Sequence, residues 1–407
     1  MNTGLDQYTD IIKDAVKNSA AKLTKSFEKI LIEVIILYMV IPRKINFTQM
    51  ERYGSHDEQT YRNNFGRKKS KSINWLKLNA TLAKDFFDKR ENWAIAIDPS
   101  YISKAGKKTP HIGRFWSGCA QSVKHGLEIM GIGLIDTDAN DCIMLRAEQT
   151  PNTKELNLRS KSLVEHYITV IKRYKKELLK LSNLIVADAF FSTSTFANGI
   201  KKHGFHLVSR FRDNACLFYT YDGPRTGKRG RPKVKDGKID LKNLDLNRME
   251  KMEMKDGEGS AYTLIAYAKA LKCKVRLVIW LMPNGKKKLF FSTNDTLSGE
   301  KVLLLYRTRF QIEFCYRDAK QYAGLTHCQA RNKWKLDFAF NASFTSVNVA
   351  KVTMKKMGME YSMSSFKSLM TNTYIVNRIF KACGYNPNRT LISKIFKDLS
   401  CLQRKAA

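Results

Sequence analysis

Two short runs, WAIAID at 93–98 and LIVAD at 184–188, constrain this chain most. Each is apolar up to a single terminal carboxylate. Runs of this length are too short for core helices and read as strands buried on both faces. Between them, the glycine-rich SGCAQSVKHGLEIMGIGLID and then DCIMLRAEQT form a hairpin turning at TDAN. A long helix is predicted over 156–181, and after LIVAD a helix over 192–202 leads into the strand FHLVSR. The order is three antiparallel strands, then helix, strand, helix, strand. That is an α/β layer architecture with a mixed sheet and flanking helices.

Ligands of open α/β sheets gather at the carboxyl ends of the strands. Asp98 and Asp188 both stand at such an end, where an acid is costly unless paired or bound to a cation. A third carboxylate comes from YRTRFQIEFCYRDAK at 306–320, read as part of a long helix over 297–322. At about 100° per residue, Tyr306, Arg309, Glu313 and Lys320 fall within about 60° of one another. Leu305, Ile312 and Ala319, with Tyr316 beside them, make the apolar stripe that would pack this helix and hold the polar one at the rim of a cleft. The plainer reading is a solvated face carrying salt bridges. Three oxygen donors without histidine or thiol suit Mg²⁺ or Mn²⁺. Two such ions about 3.5–4 Å apart can activate a nucleophile and stabilise a leaving oxygen on a phosphodiester. Capping of the next loop is the competing role for each aspartate. It would stand for one Asp, but not for two followed by Glu313.

These residues resemble the bacterial insertion-sequence transposases of the DDE superfamily, in particular the group with a Tyr-x2-Arg-x3-Glu-x6-Lys signature. Tyr306, Arg309, Glu313 and Lys320 match it at every spacing, and Asp98 in AIDPSYISK and Asp188 in VADAFF match the first two acidic motifs. The resemblance spans most of residues 88–345. It implies a ribonuclease-H-like catalytic fold interrupted by a β-rich insertion before the third acid. It also implies Mg²⁺-dependent cutting at transposon ends and strand transfer into a target. Asp98, Asp188 and Glu313 would hold the metal, and Tyr306, Arg309 and Lys320 the transposon end. The units expected are 1–85, a helical N-terminal DNA-binding domain; 86–210 and 289–360, the two parts of the catalytic core; 211–288, the β-rich insertion; and 361–407, a helical tail. An inactive DNA-binding regulator of transposition and a structure-selective nuclease on the same fold are the alternatives. The intact acids count against the first; the Tyr-Arg-Lys stripe and the insertion count against the second.

Charge points the same way. The chain of 407 residues carries 72 Lys and Arg against 37 Asp and Glu, a net charge of +35. Self-repulsion on that scale is explained by a polyanionic partner, and double-stranded DNA is the leading one. A homodimer bringing two element ends together is expected with it. Residues 45–72 hold two short helical patterns around Gly54 and resemble a helix-turn-helix. Glu58 to Phe65 would be its recognition helix, with Gln59, Arg62, Asn63 and Asn64 of types that read base edges. A plain helical hairpin is the alternative. RGRP at 229–232 resembles an AT-hook core, which would send Arg229 and Arg231 toward a minor groove; a solvated basic loop is the alternative. Lys104, Lys107 and Lys108 in SKAGKKT follow Asp98 and could carry charge to the scissile backbone, and Trp280 could stack on a base or simply pack in the core.

Eight cysteines without a CxxC pair read as free thiols in a reducing cytoplasm and give no zinc module. The most apolar run, ILIEVIILYMVIP at 30–42, is interrupted by Glu33 and too short to span a bilayer. It reads as a buried helix. No membrane partner is expected, and the chain is placed in the cytoplasm, on the nucleoid.

Overall fold

The computed structural model describes residues 3–19, 23–66, 73–224, 232–385 and 388. Its centre is a mixed sheet of twelve strands. β1 (Trp93–Ser103) pairs antiparallel with β3 (Ser122–Asp136) over its whole length, from Trp93 opposite Asp136 to Ser103 opposite Gly126. β2 (Gly113–Ser117) and β4 (Asp141–Gln149) share the outer side of β3, β2 along its first residues and β4 along the rest. On its other side β1 runs parallel to β5 (Leu184–Val186), and β5 parallel to β6 (His206–Phe211). This mixed sheet with flanking helices is consistent with a ribonuclease-H-like fold.

The strands predicted as an insertion extend that same sheet. β12 (Lys287–Ser292) returns antiparallel to β6 and leads outward through β11 (Cys273–Leu281), β10 (Ser260–Ala268), β7 (Leu217–Thr220) and β8 (Lys235–Lys238). β9 (Glu250–Met252) lies on β10. Arg229 and Arg231 fall outside the described residues.

Two apolar cores clothe the sheet, and the period-two alternation of β1 divides between them. Ala94 and Ala96 join one; Ile95 and Ile97 join the other. The first core is completed by α1 (Gly4–Asn18), α2 (Lys25–Val40), α10 (Gly299–Thr308), α11 (Gln311–Tyr322), α12 (Lys333–Lys356) and α13 (Met363–Ala382). The second is completed by α7 (Leu163–Arg173) and α9 (Ser194–Lys201), with α5 (Trp75–Phe86) dividing its residues between the two. α12 is buried on almost every face, as befits a helix through the middle of a core. Between α2 and α5 stand α3 (Phe47–Tyr53) and α4 (Glu58–Gly66). No helix among the described residues is long and apolar enough to cross a membrane.

Three expectations need correction. The helix predicted over 156–181 is three: α6 (Thr153–Leu158), α7 and α8 (Lys175–Leu179). Ser160 takes a left-handed φ of 50°, and Ser162 with Glu165 forms a capping box that starts a new helix. The helix predicted over 297–322 divides into α10 and α11 at Arg309 and Phe310. Both residues keep helical dihedrals, but the amides of Ile312 and Glu313 bond the carbonyls of Arg309 and Phe310, three residues back. Finally, β1 does not end at Asp98 but runs on to Ser103, because β3 accompanies it that far.

Candidate active site

Asp98 lies where β1 loses its parallel neighbour. β5 pairs with Ile95 and Ala96 and stops at Val186, and Asp188 follows two residues later. The two acids therefore meet at one open end of the parallel strands. Asp188 also caps a 3-10 turn, its Oδ1 accepting the Phe190 amide at 3.1 Å, while its carbonyl accepts from Ser209 Oγ at 2.8 Å. Capping and site-building coexist in this residue.

From the α10–α11 junction the Arg309 guanidinium reaches both Asp98 Oδ1, at 3.5 Å, and Glu313 Oε1, at 3.1 Å. Only 12% of its side chain is exposed. Burial pushes the Asp98 carboxyl up to about 7; Arg309 and Lys320 oppose that shift, and the charges of Asp188 and Glu313 add to it. Asp188 is raised as well, by burial, against the pull of Arg309 and the Phe190 amide. The three acids thus share one electrostatic environment. Lys320 is held farther along β1, its Nζ donating to Ser100 Oγ at 3.0 Å, with its own pKa lowered by burial. Tyr306 packs its ring 4.9 Å from Phe290, under the Arg309 cation at 5.7 Å. The four signature residues stay on one face despite the break between their helices.

Among the described residues no three His, Cys, Asp or Glu side chains lie together as a ready metal cage. Arg309 stands between Asp98 and Glu313 instead. The donor chemistry nevertheless fits a hard divalent cation: all three donors are carboxylates, and the charges of Asp188 and Glu313 both bear on Asp98.

The family described as DDE superfamily endonuclease matches residues 24–260, more than half of the chain. The chain belongs to the DDE superfamily of endonucleases. None of the curated proteins matches it. The matched span of this DDE endonuclease includes Asp98 and Asp188 and ends before Glu313 and the rest of the signature. A DNA substrate and nuclease or transposase chemistry come with the family.

The remaining candidates are scattered. Gln59, Arg62 and Asn63 share the exposed face of α4, where Gln59 Nε2 donates to Asn63 Oδ1 at 3.0 Å and Arg62 pairs with Glu58. Asn64 is buried and donates to the Thr60 carbonyl at 2.7 Å, so it cannot read a base from there. Lys107 and Lys108 are exposed, but Lys104 is turned inward, its Nζ donating to the Cys328 carbonyl at 2.5 Å. Trp280 is half-buried. Its Nε1 donates to the Glu258 carbonyl at 2.7 Å, and the Arg307 guanidinium lies 4.7 Å over its ring, itself paired with the Glu258 carboxylate.

One positioning residue escaped the sequence reading. Tyr316, counted there only with the apolar stripe, is buried and donates its hydroxyl to the Asp98 carbonyl at 2.7 Å. It fits because Gly131 has no side chain; a Cβ there would stand 2.2 Å from the hydroxyl. The available signal was the glycine-rich MGIGLID beside an apolar strand that carries one aspartate.

Proposed function

We propose that this DDE endonuclease is a transposase of the insertion-sequence type, which cuts at element ends and joins them to target DNA in cut-and-paste fashion. The observation that supports this most is the Arg309 bridge between Asp98 and Glu313, beside an Asp188 that feels the same charges. Asp98, Asp188 and Glu313 are the residues that would hold Mg²⁺ or Mn²⁺, as two ions. Bound there, such ions would supply a Lewis acid at the phosphodiester and a more acidic water. Arg309, paired with Asp98, and Lys320, bonded to Ser100 two residues along β1, would hold phosphates of the element end, with Tyr306 beneath Arg309. Tyr316 fixes the backbone that carries Asp98. Two chains, one for each end, would form the active assembly. Gln59, Arg62 and Asn63, Lys107 and Lys108, and Arg229 and Arg231 are candidate contacts to flanking DNA.

The test is to incubate the purified chain with its own flanking element ends and Mg²⁺, and to follow cleavage and joining on gels. Asp188→Ala and Glu313→Ala should each lower cleavage at least about 1,000-fold, in keeping with loss of a central electrostatic group, while end binding changes little. Intact cleavage in both variants would overturn the assignment. So would equal loss of binding and cleavage.

A further inference from the structure

Away from the carboxylates, a cavity of about 590 Å³ opens between the pair α3 and α4 and the segment joining α11 to α12. That volume is within the range of small-ligand pockets. Its buried lining is apolar, made by Tyr38, Ile45, Met50 and Phe65. Phe47 stands edge-on to Phe65 at 4.9 Å and carries the Arg62 guanidinium 5.2 Å over its ring. His327 joins the two sides: the Ile45 amide donates to its Nδ1 at 3.0 Å, which leaves Nε2 as an N–H donor. Gly324 permits that approach, since a Cβ there would stand 2.8 Å from Nδ1.

Charge singles this cavity out. Arg62, Arg331 and Lys335 line it, and among the described residues of its wall Glu58 is the only acid. Glu58 is already occupied, accepting from Thr48 Oγ1 at 2.8 Å and pairing with Arg62. Elsewhere around the cavity like charges meet. Arg62 bears on Lys335, Arg331 on Lys104, and Lys44 with Lys367 on His327; each of these groups is pushed down by burial and then by those cations. Lys104 is the inward-turned lysine whose Nζ donates to the Cys328 carbonyl, and Cys328 lines the cavity. Cations gathered without acids are relieved by a bound anion. The first amides of α12 are not what attracts it, because Asn332 Oδ1 already accepts from Trp334 and Lys335 at 2.9 and 3.2 Å.

The same residues narrow the occupant. Three lining cations against one carboxylate leave two positive charges. A phosphate monoester at neutral pH carries about −1.5 to −2. A phosphodiester of duplex DNA carries about −1 and lies in a chain too wide to enter. It would touch the exposed Arg62 and Arg331 and leave the apolar lining empty. That lining calls for a flat body on the same ligand as the phosphate. The exposed Gln329 amide and His327 Nε2 offer hydrogen bonds to the edge of a heterocycle. We propose that this cavity binds a free nucleoside 5′-monophosphate, its phosphate on Arg62, Arg331 and Lys335 and its base against Phe47 and the apolar lining. An occupant there braces α3 and α4 against the segment that follows α11.

Titration calorimetry on the full chain tests this with the four ribonucleoside 5′-monophosphates, their nucleosides and inorganic phosphate. Salt at about 0.15 M screens the diffuse pull of a chain of charge +35. At least one nucleotide should bind once per chain, about 100-fold more tightly than its nucleoside or inorganic phosphate, as charge-assisted contacts joined to a packed ring allow. That advantage should fall about ten-fold in Arg331→Ala and in Lys335→Ala, at unchanged melting temperature. Arg62 is kept, because it is also a candidate contact to DNA. Four nucleotides that bind no better than phosphate overturn the proposal, and so does an advantage untouched by both variants. Should the variants fail to fold, photolabelling of the unaltered chain with the azido derivative of the best nucleotide decides the matter. Labels within 45–65 or 327–335 support the proposal, and labels only elsewhere overturn it. A 5′-phosphorylated oligonucleotide that binds where no free nucleotide does would assign the cavity to a DNA end and overturn it too. None of these readouts involves cleavage, so the outcome is separate from that of the transposase reading.

Discussion

Arg309 supplies positive charge to three carboxylates that would otherwise repel one another, and in the proposed function it is also one of two cations that would hold DNA. If Arg309 and Lys320 hold phosphates, replacing either by Ala should lower the slope of log affinity against log salt by about one unit. Glu313→Gln should leave the slope nearly unchanged. An unaltered slope for both cation variants, with only a fall in melting temperature, would return the stripe to an ordinary ion-paired surface. Asp98 gives a separate prediction. Its carboxyl is raised from an ordinary value of 3.8 to about 7. Between those values the folded chain keeps a proton that the unfolded chain has lost. This group's contribution to stability therefore falls as pH rises from about 4 to about 7, and is level outside that window. A divalent cation takes the ionised acid, so Mg²⁺ should raise the melting temperature more at about pH 8 than at about pH 6. Asp98→Asn should remove that difference; an equal gain at both pH values in the unaltered chain would disprove the coupling.

At the scale of elements, the outer edge of β4 is closed by side chains instead of another strand. Asn341 accepts from the Ala147 amide at 2.9 Å and donates to its carbonyl at 3.1 Å. One heptad on, Asn348 accepts from the Met144 amide at 3.1 Å and donates to its carbonyl at 2.7 Å. Asn79 of α5 donates to the Leu145 carbonyl at 3.1 Å and accepts from Asn348. These amides satisfy an edge that burial has cut off from water. Asn341→Leu should leave two buried backbone groups unpaired and cost about 3 kcal/mol, read as a lower urea midpoint at unchanged slope. A cost under about 1 kcal/mol would mean that water reaches the edge. Nothing in the sequence announced this, because a lone asparagine in a helix carries no mark of its partner. What periodicity does carry is which residues face inward: hence the strands at Asp98 and Asp188, the hairpin at 136–141 and the α2 helix were legible. Breaks at Ser160 and Arg309 depend on local hydrogen bonds that a continuous pattern hides. β2 went unread because GRFWS is short and pairs with β3 instead of following its own apolar rhythm. The site was legible as a set of acids and cations at fixed spacings; the Tyr316–Gly131 fit was not, since it joins two elements.

Over the whole molecule, the first helices and the sheet are built into one core. Tyr8 of α1 is fully buried, its hydroxyl within hydrogen-bond distance of the Ile35 carbonyl of α2 and 3.0 Å from the Ser346 carbonyl of α12. Lys367 of α13, also buried, donates to the Tyr38 carbonyl at 2.8 Å. Even Glu33, the one charge in the apolar run at 30–42, accepts from the amide and hydroxyl of Ser55 at 2.7 and 2.6 Å, and so ties α2 to the α3–α4 turn. α12, which takes Tyr8 on one side, presents Asn341 and Asn348 to β4 on another. An insult to α1 should therefore reach the strand that carries Asp98. Tyr8→Ala removes a buried aromatic, a change worth about 3–5 kcal/mol. In a cooperative molecule it should move the whole calorimetric transition down by several degrees, and near-ultraviolet signals from Trp93 should shift with it. An independent N-terminal unit predicts otherwise: a new early transition, with the signal from Trp93 unmoved. Coincident displacement of both would place α1 and α2 within the structural support of the strand that carries Asp98, so that the first helices and the sheet unfold as one unit.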